Sequence, residues 1–296
     1  MQLSVPRALN LAGISFSDPL SPAATQPRAR VEWAAVHGVR AVQLDATVPG
    51  LRPRELDRSA RRDIASLLRR LELAFAGLDL SIPVSHFADP AMLDRAVKAT
   101  QDAITLAADI ATLSPSPSGI TADAGRMVAI TLPATLGADV RSTLVSHAQS
   151  CKVTLADFRW PLPELERPAP TSTGRAVHKP DGFASVVVPT ASLVATSNPE
   201  FNFGCGLDTG TLLVAGLNPA KAIARLATLH PGQPAQIRLT DAAAGRRVPL
   251  GDGDLDELSV DVACQVAGYR GYAIVDLRGI TGADALVRSL FDRSGN

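Results

Sequence analysis

The stretch AQIRLTDAAAGRRVPLGDGDLDELSVDVACQVAGYRGYAIVDLRG, residues 235–279, carries the reading of the fold. Residues 235–241 and 272–276 are short apolar runs, each closing on an aspartate, and residues 254–266 between them have helical apolar spacing. Strand, helix, strand in that order is a crossover unit, which lays its two strands parallel.

The alternation recurs outward from this stretch. Strands are predicted at 8–16, 39–45, 78–84, 110–113, 153–157 and 203–208. Helices are predicted at 26–36, 59–76, 90–109, 138–150, 218–230 and 282–293. Ser59 caps the second of these helices, and Leu67, Leu68 and Leu71 fall on one of its faces. Residues 127–132 also read as a strand, where the alternation asks for a helix.

Eight units, with no G-x-G-x-x-G after the first strand, point to a closed (β/α)₈ barrel of the TIM type, a doubly wound sheet pair being the alternative. The chain's 296 residues sit near the ~250 of such a barrel. One domain over residues 1–296 is therefore expected, although two smaller ones would also fit. Residues 159–200 are proline-rich and aperiodic, and read as an elaborated loop inserted after a strand.

Composition narrows the function classes. The chain is 46% hydrophobic but only 4% aromatic, so its core is to be built from Ala, Val, Leu and Ile. Lys plus Arg equals Asp plus Glu at 29 each, which leaves no global positive field for a nucleic acid. Cys151, Cys205 and Cys264 are far apart, odd in number and without CxxC spacing, so reduced thiols in a cytoplasmic protein are expected. No apolar run approaches the ~20 residues of a membrane span, and no membrane partner is expected.

In a barrel of this kind chemistry sits at the C-terminal ends of the strands. That rule selects Gln43, Asp45, Ser85, His86, Asp157, Asp208, Arg238, Asp241, Asp276 and Arg278. Carboxylates converging on one mouth suit a divalent cation or proton transfer, and aspartate is equally the residue that caps a following helix. His86 reads either as a hydrogen-bonding group or general base, or as a turn residue beside Phe87. Arg246 and Arg247 are either anion ligands or solvated loop residues. Trp160 and Phe158 either wall a sugar ring or pack beneath the long loop.

Four segments carry a family resemblance: GLDTGTLLVAGLNP (206–219), IRLTDA with GRRVPLGDGDLD (within 237–256), GYRGYAIVDLRG (268–279) and IPVSHFADP (82–90). They resemble the sugar phosphate isomerase/epimerase family of xylose isomerase-like TIM barrels. The loop 248–256 is the most specific part of the match, and residues 110–200 the weakest. The resemblance implies one divalent metal held by a Glu, an Asp, a His and a second Glu, with the two Glu residues acting as acid and base. Those places fall on Asp157, Asp208, Arg238 and Asp276, so that Asp208 alone is kept; Thr211 stands where a further His is common.

A guanidinium at position 238 has five donors, no acceptor and a fixed charge, so it cannot ligate a cation. Asp208, Asp157 and Asp276 either hold Mn²⁺ or Mg²⁺ or surround Arg238 as ion pairs. Two functions stay open. One is a sugar isomerase or epimerase with Asp157, Asp276 and His86 as catalytic groups and Arg238, Arg247, Trp160 and Asp241 contacting substrate. The other is a non-catalytic barrel that binds a small carbohydrate-like ligand or a protein partner. The resemblance also implies a homo-oligomer. A DNA-repair endonuclease on the same scaffold would need a rich histidine set and a basic groove, and five histidines in a charge-neutral chain supply neither.

Overall fold

The structure, a computed structural model, describes residues 5–114, 123–159, 203–230 and 234–292. Eight apolar runs form strands: β1 (Arg7–Asn10), β2 (Ala41–Asp45), β3 (Ala74–Asp79), β4 (Met127–Ile130), β5 (Thr154–Asp157), β6 (Gly204–Asp208), β7 (Gln236–Leu239) and β10 (Ala273–Val275). Each pairs in parallel with its neighbours, in the closed order β1-β2-β3-β4-β5-β6-β7-β10 and back to β1, with helices outside. This is the (β/α)₈ barrel expected from the alternation. A separate antiparallel hairpin, β8 (Asp241–Ala243) with β9 (Arg246–Val248), follows β7.

Two boundaries differ from the sequence reading. Residues 110–113 are the last turn of the Pro90–Leu113 helix, not the fourth strand, which is β4. Ala96, Thr100, Ala103, Ala107 and Ile110 are spaced three and four apart and all buried, so Ile110 continues a helical stripe. The second difference lies before β3. The helix there spans Arg58–Arg70 and is capped by Asp57, which accepts from the Ala60 N–H at 2.8 Å, in place of Ser59. Glu72 then adopts φ 54° and turns the chain, so β3 begins at Ala74 and ends at Asp79. Residues 80–84, assigned to that strand from sequence, lie beyond it.

Side chains alternate across each strand. Leu9, Val42, Leu44, Leu78, Leu155, Leu207, Ile237 and Val275 join the apolar layer beneath the helices. Inside the barrel Ala8, Ala41, Ala74, Ala76, Tyr272 and Ile274 form a second, small-residue cluster, consistent with the scarcity of aromatics. Toward the C-terminal ends the interior becomes polar: the Gln43 Nε2 donates to Gln236 Oε1 at 3.2 Å, with both residues buried.

β3 breaks the alternation once. It pairs Phe75 with Val42 and Leu78 with Leu44, so β3 spends one more residue than β2 over that step. Gly77 absorbs this bulge at φ 106°. Ala76 and Asp79, three apart, therefore both face inward. A Cβ on Gly77 would stand 2.5 Å from the Met127 carbonyl oxygen. Gly77→Ala is expected to destabilise the fold by about 2–3 kcal/mol, read as a lower urea midpoint at unchanged slope.

Among the described residues no helix is long and apolar enough to cross a membrane.

Candidate functional site

Five of the eight strands end in aspartate or are followed at once by one: Asp45, Asp79, Asp157, Asp208 and Asp276. Their surroundings separate them into distinct roles.

The centre of the mouth is Arg238, on the inward face of β7 and 7% exposed. Its Nη2 donates to Asp79 Oδ2 at 2.8 Å, and its Nε lies 3.7 Å from Asp276 Oδ2, too far for a hydrogen bond. The Phe158 ring lies against the guanidinium, with 3.8 Å between Cζ and the ring centroid, a cation–π contact shielded from water. Asp79 is further held by the Asn10 Nδ2, donating at 2.7 Å, and by Arg278 Nη2 at 3.4 Å. Arg278 also grips Asp276 through Nε at 3.0 Å and through Nη2. The bare Cα of Gly13 lets this side chain lie flat, since a Cβ there would meet Arg278 Cγ at 2.5 Å.

Burial alone would raise the Asp276 carboxyl, but the Arg278 hydrogen bonds and the charges of Arg238 and Arg278 outweigh it and hold the group below its ordinary value. Arg278 is correspondingly raised: its own burial acts the other way and is overcome by Asp276 and Asp79.

Asp208 sits to one side. Its Oδ1 accepts from the Thr211 N–H at 2.9 Å, capping the Thr209–Val214 helix, and from Thr240 Oγ1 at 2.7 Å. Arg247, carried in by the β8–β9 hairpin, donates to its Oδ2. Asp241 fixes the connection around that hairpin: its carboxylate accepts from the N–H groups of Ala242, Gly251, Gly253 and Leu255 at 2.8–3.0 Å. Both Asp241 oxygens are thereby committed to the 248–256 loop.

Asp157 shares its strand face with Leu155, the outward one, while Phe158 points inward against Arg238. Asp157 Oδ1 accepts from the Leu132 and Arg159 N–H groups at 3.0 and 3.1 Å. Burial raises its carboxyl, opposed in part by the Leu132 hydrogen bond and by Arg159. His86 is not at a strand end: it sits in the Ser85–Ala88 turn of helix, seven residues beyond Asp79 at the end of β3, and lines a different cavity. Asp45 turns back to its own loop, accepting from the N–H and hydroxyl of Thr47. Trp160 and most of the 159–200 segment lie outside the described residues.

The structure thus brings Arg238, Asp276, Arg278, Asp208 and Arg247 together, and adds Asp79, Asn10 and Phe158, which the sequence rule did not select. Asp79 was hidden by the misplaced third strand. The signal was present in FAGLD (75–79), which closes on Leu-Asp as AVQLD (41–45) and CGLD (205–208) do.

A divalent cation at Asp208, Asp157 and Asp276 would need their oxygens free and convergent. Instead Asp276 is paired with two guanidiniums, Asp208 caps a helix and holds Arg247, and Asp157 faces away. Among the described residues no three His, Cys, Asp or Glu are grouped to hold a metal. The donor set does not fit the ion. Beside Arg238 opens a pocket of about 190 Å³, lined by Thr131, Phe158, Arg159, Asp208 and Thr211 among others.

Set beside solved structures, this architecture has extensive counterparts. The fold is that of the xylose isomerase-like TIM barrels. A xylose isomerase domain protein from Planctomyces limnophilus superposes with a TM-score of 0.58 at 14% identity, covering 98% of this chain and 97% of that one. A D-tagatose 3-epimerase-like protein gives 0.57 at 15% identity, covering 98% and 96%. A xylose isomerase-like TIM barrel protein from Mycobacterium smegmatis, solved in complex with magnesium, gives 0.57 at 13% identity, covering 98% and 96%. No protein-family model matches the sequence, and no curated protein matches it.

Asp79→Ala strands the buried Arg238 and is expected to cost about 3–5 kcal/mol of unfolding free energy. Asp276 gives a pH test. Its lowered folded value means its stabilisation is complete above the unfolded carboxyl value of about 3.9 and is lost as pH falls through the folded one. The stability gap between wild type and Asp276→Asn, measured by urea melts from pH 7 to pH 2.5, should be full at neutral pH and close below ~3.9.

Proposed function

We propose that this chain is a xylose isomerase-like barrel that binds a small carbohydrate-like ligand at its mouth without metal-dependent isomerisation. The observation that carries the reading is the Arg238 guanidinium bonded to Asp79 and close to Asp276, at the place where the family resemblance would put a metal-ligating histidine. Proton transfer between adjacent carbons calls for a poised base on each face of the substrate. Asp276 is held ionised between two arginines, and Asp157, the group raised by burial, lies on the outward strand face.

What remains at the mouth suits recognition. The 190 Å³ pocket offers the Thr131 and Thr211 side chains and the charged groups of Arg159, Asp208 and Arg238, a mixed donor and acceptor set of the kind that matches a polyhydroxylated molecule. The carbohydrate part of the proposal draws on the structural neighbours, one of which is named a D-tagatose 3-epimerase-like protein and another a D-psicose 3-epimerase with D-tagatose.

The test is calorimetric titration of a panel of ketoses, aldoses and their phosphates, with and without EDTA, beside incubation in D₂O with Mn²⁺ or Mg²⁺. Saturable binding that EDTA leaves unchanged is expected, weakened about tenfold in Arg159→Gln, with no deuterium entering any ligand carbon. Metal-dependent deuterium incorporation would overturn the reading in favour of an isomerase or epimerase, and so would binding abolished by EDTA.

A further inference from the structure

A cavity of about 460 Å³ lies away from the Arg238 cluster. It lies between the loop after β2, the loop after β3 and the Pro90–Leu113 helix, and shares no lining residue with the mouth pocket. Its volume falls within the ~300–1,000 Å³ of small-molecule sites.

The walls divide by chemistry. Leu80, Ile82, Met92, Ala96 and Ala99 supply apolar surface, the last three from one helix face at spacings of four and three. Charge is supplied by Arg52, Arg54, Arg95 and Lys98, with His86 beside them, against a single lining carboxylate, Asp102. In a chain whose formal charges cancel, four cations to one anion around one cavity is a local concentration of positive potential.

The partners of these groups sharpen the point. Arg52 is spoken for by the Thr47 carbonyl at 2.8 Å and by Glu55 at 3.3 Å, and Lys98 by Asp102. The side chains of Arg54, Arg95 and His86 make no hydrogen bond or salt bridge among the described residues. Elsewhere the described arginines are commonly paired, as Arg7 with Glu257, Arg61 with Asp109 and Arg247 with Asp208. Around this cavity two guanidiniums and an imidazole are left facing an apolar floor. Solvated surface arginines would give the same exposure, but not a half-open apolar cavity beside them.

We infer that this cavity is a second binding site, separate from the pocket beside Arg238, for a small organic anion with an apolar body and a terminal phosphate or carboxylate. The body fills the space over Leu80, Met92 and Ala96, and the anion is received by Arg54 and Arg95, with His86 as a further donor. Arginine suits this task because its planar fork matches either oxyanion with two parallel hydrogen bonds.

The experiment is calorimetric titration of phenyl phosphate, benzoate and the neutral benzyl alcohol into wild type, Arg54→Gln/Arg95→Gln, Ala99→Phe and Arg159→Gln. Either anion is expected to bind wild type at least tenfold more tightly than benzyl alcohol, to lose about tenfold in the double arginine variant and to be excluded by Ala99→Phe. Arg159→Gln, which alters the mouth pocket alone, is expected to leave this binding unchanged. Equal binding to wild type and the double arginine variant overturns the proposal. So does loss of binding in Arg159→Gln, or the failure of both anions to bind at millimolar concentration. The arginine substitutions lie at the exposed rim, so the folded state survives them and the result reads the site.

Discussion

A guanidinium buried at the mouth of a barrel is a demanding object. Removed from water, Arg238 costs several kcal/mol unless its charge is answered at close range. The interior is built around that answer: Asp79 bonds it, Asp276 lies 3.7 Å from its Nε and Phe158 closes its face. Each partner then needs support of its own. Asn10 and Arg278 hold Asp79, and Arg278 holds Asp276 with its full fork. Four strands, β1, β3, β7 and β10, are thus tied through one charge network at the C-terminal mouth of the barrel.

The second consequence concerns the loops. Asp208, the one residue retained from the metal set implied by resemblance, has been drawn into architecture. It starts a short helix, receives Thr240 and anchors Arg247. Asp241 does the same for the segment behind the hairpin by collecting four backbone N–H groups. Carboxylates at strand ends here act mostly on their own backbone, as the capping preference of aspartate leads one to expect. The loop with the strongest family likeness, 248–256, owes its shape to Asp241, so that likeness reports on loop geometry more than on chemistry.

Most of the architecture was legible because parallel strands buried on both faces are written as short apolar runs, and the runs here alternate with helical spacing eight times. The errors have local physical causes. Residues 110–113 form an apolar run of a length that strand and helix share, and only the stripe from Ala96 to Ile110 assigns it to the helix. The end of the Arg58–Arg70 helix was overrun because Glu72, which bears no turn signature, takes up the left-handed conformation. That shift concealed Asp79. The site suffered from a subtler problem: knowing that Asp157 ends a strand does not say which face it occupies. Leu155 and Asp157 lie on one side and Phe158 on the other, and the phase became readable only once the helix-facing residues were known.

The bulge at Gly77 shows how much hangs on such phase. Every inward position in β3 beyond it is set by the one residue that β3 spends in excess of β2. Were Gly77 to enter the ladder as an ordinary strand residue, Leu78 and Asp79 would exchange places, presenting an aliphatic side chain to Arg238 and a carboxylate to the apolar layer under the helices. The charge network is in this sense addressed by parity: the length of the strand, and not only its composition, is part of the site.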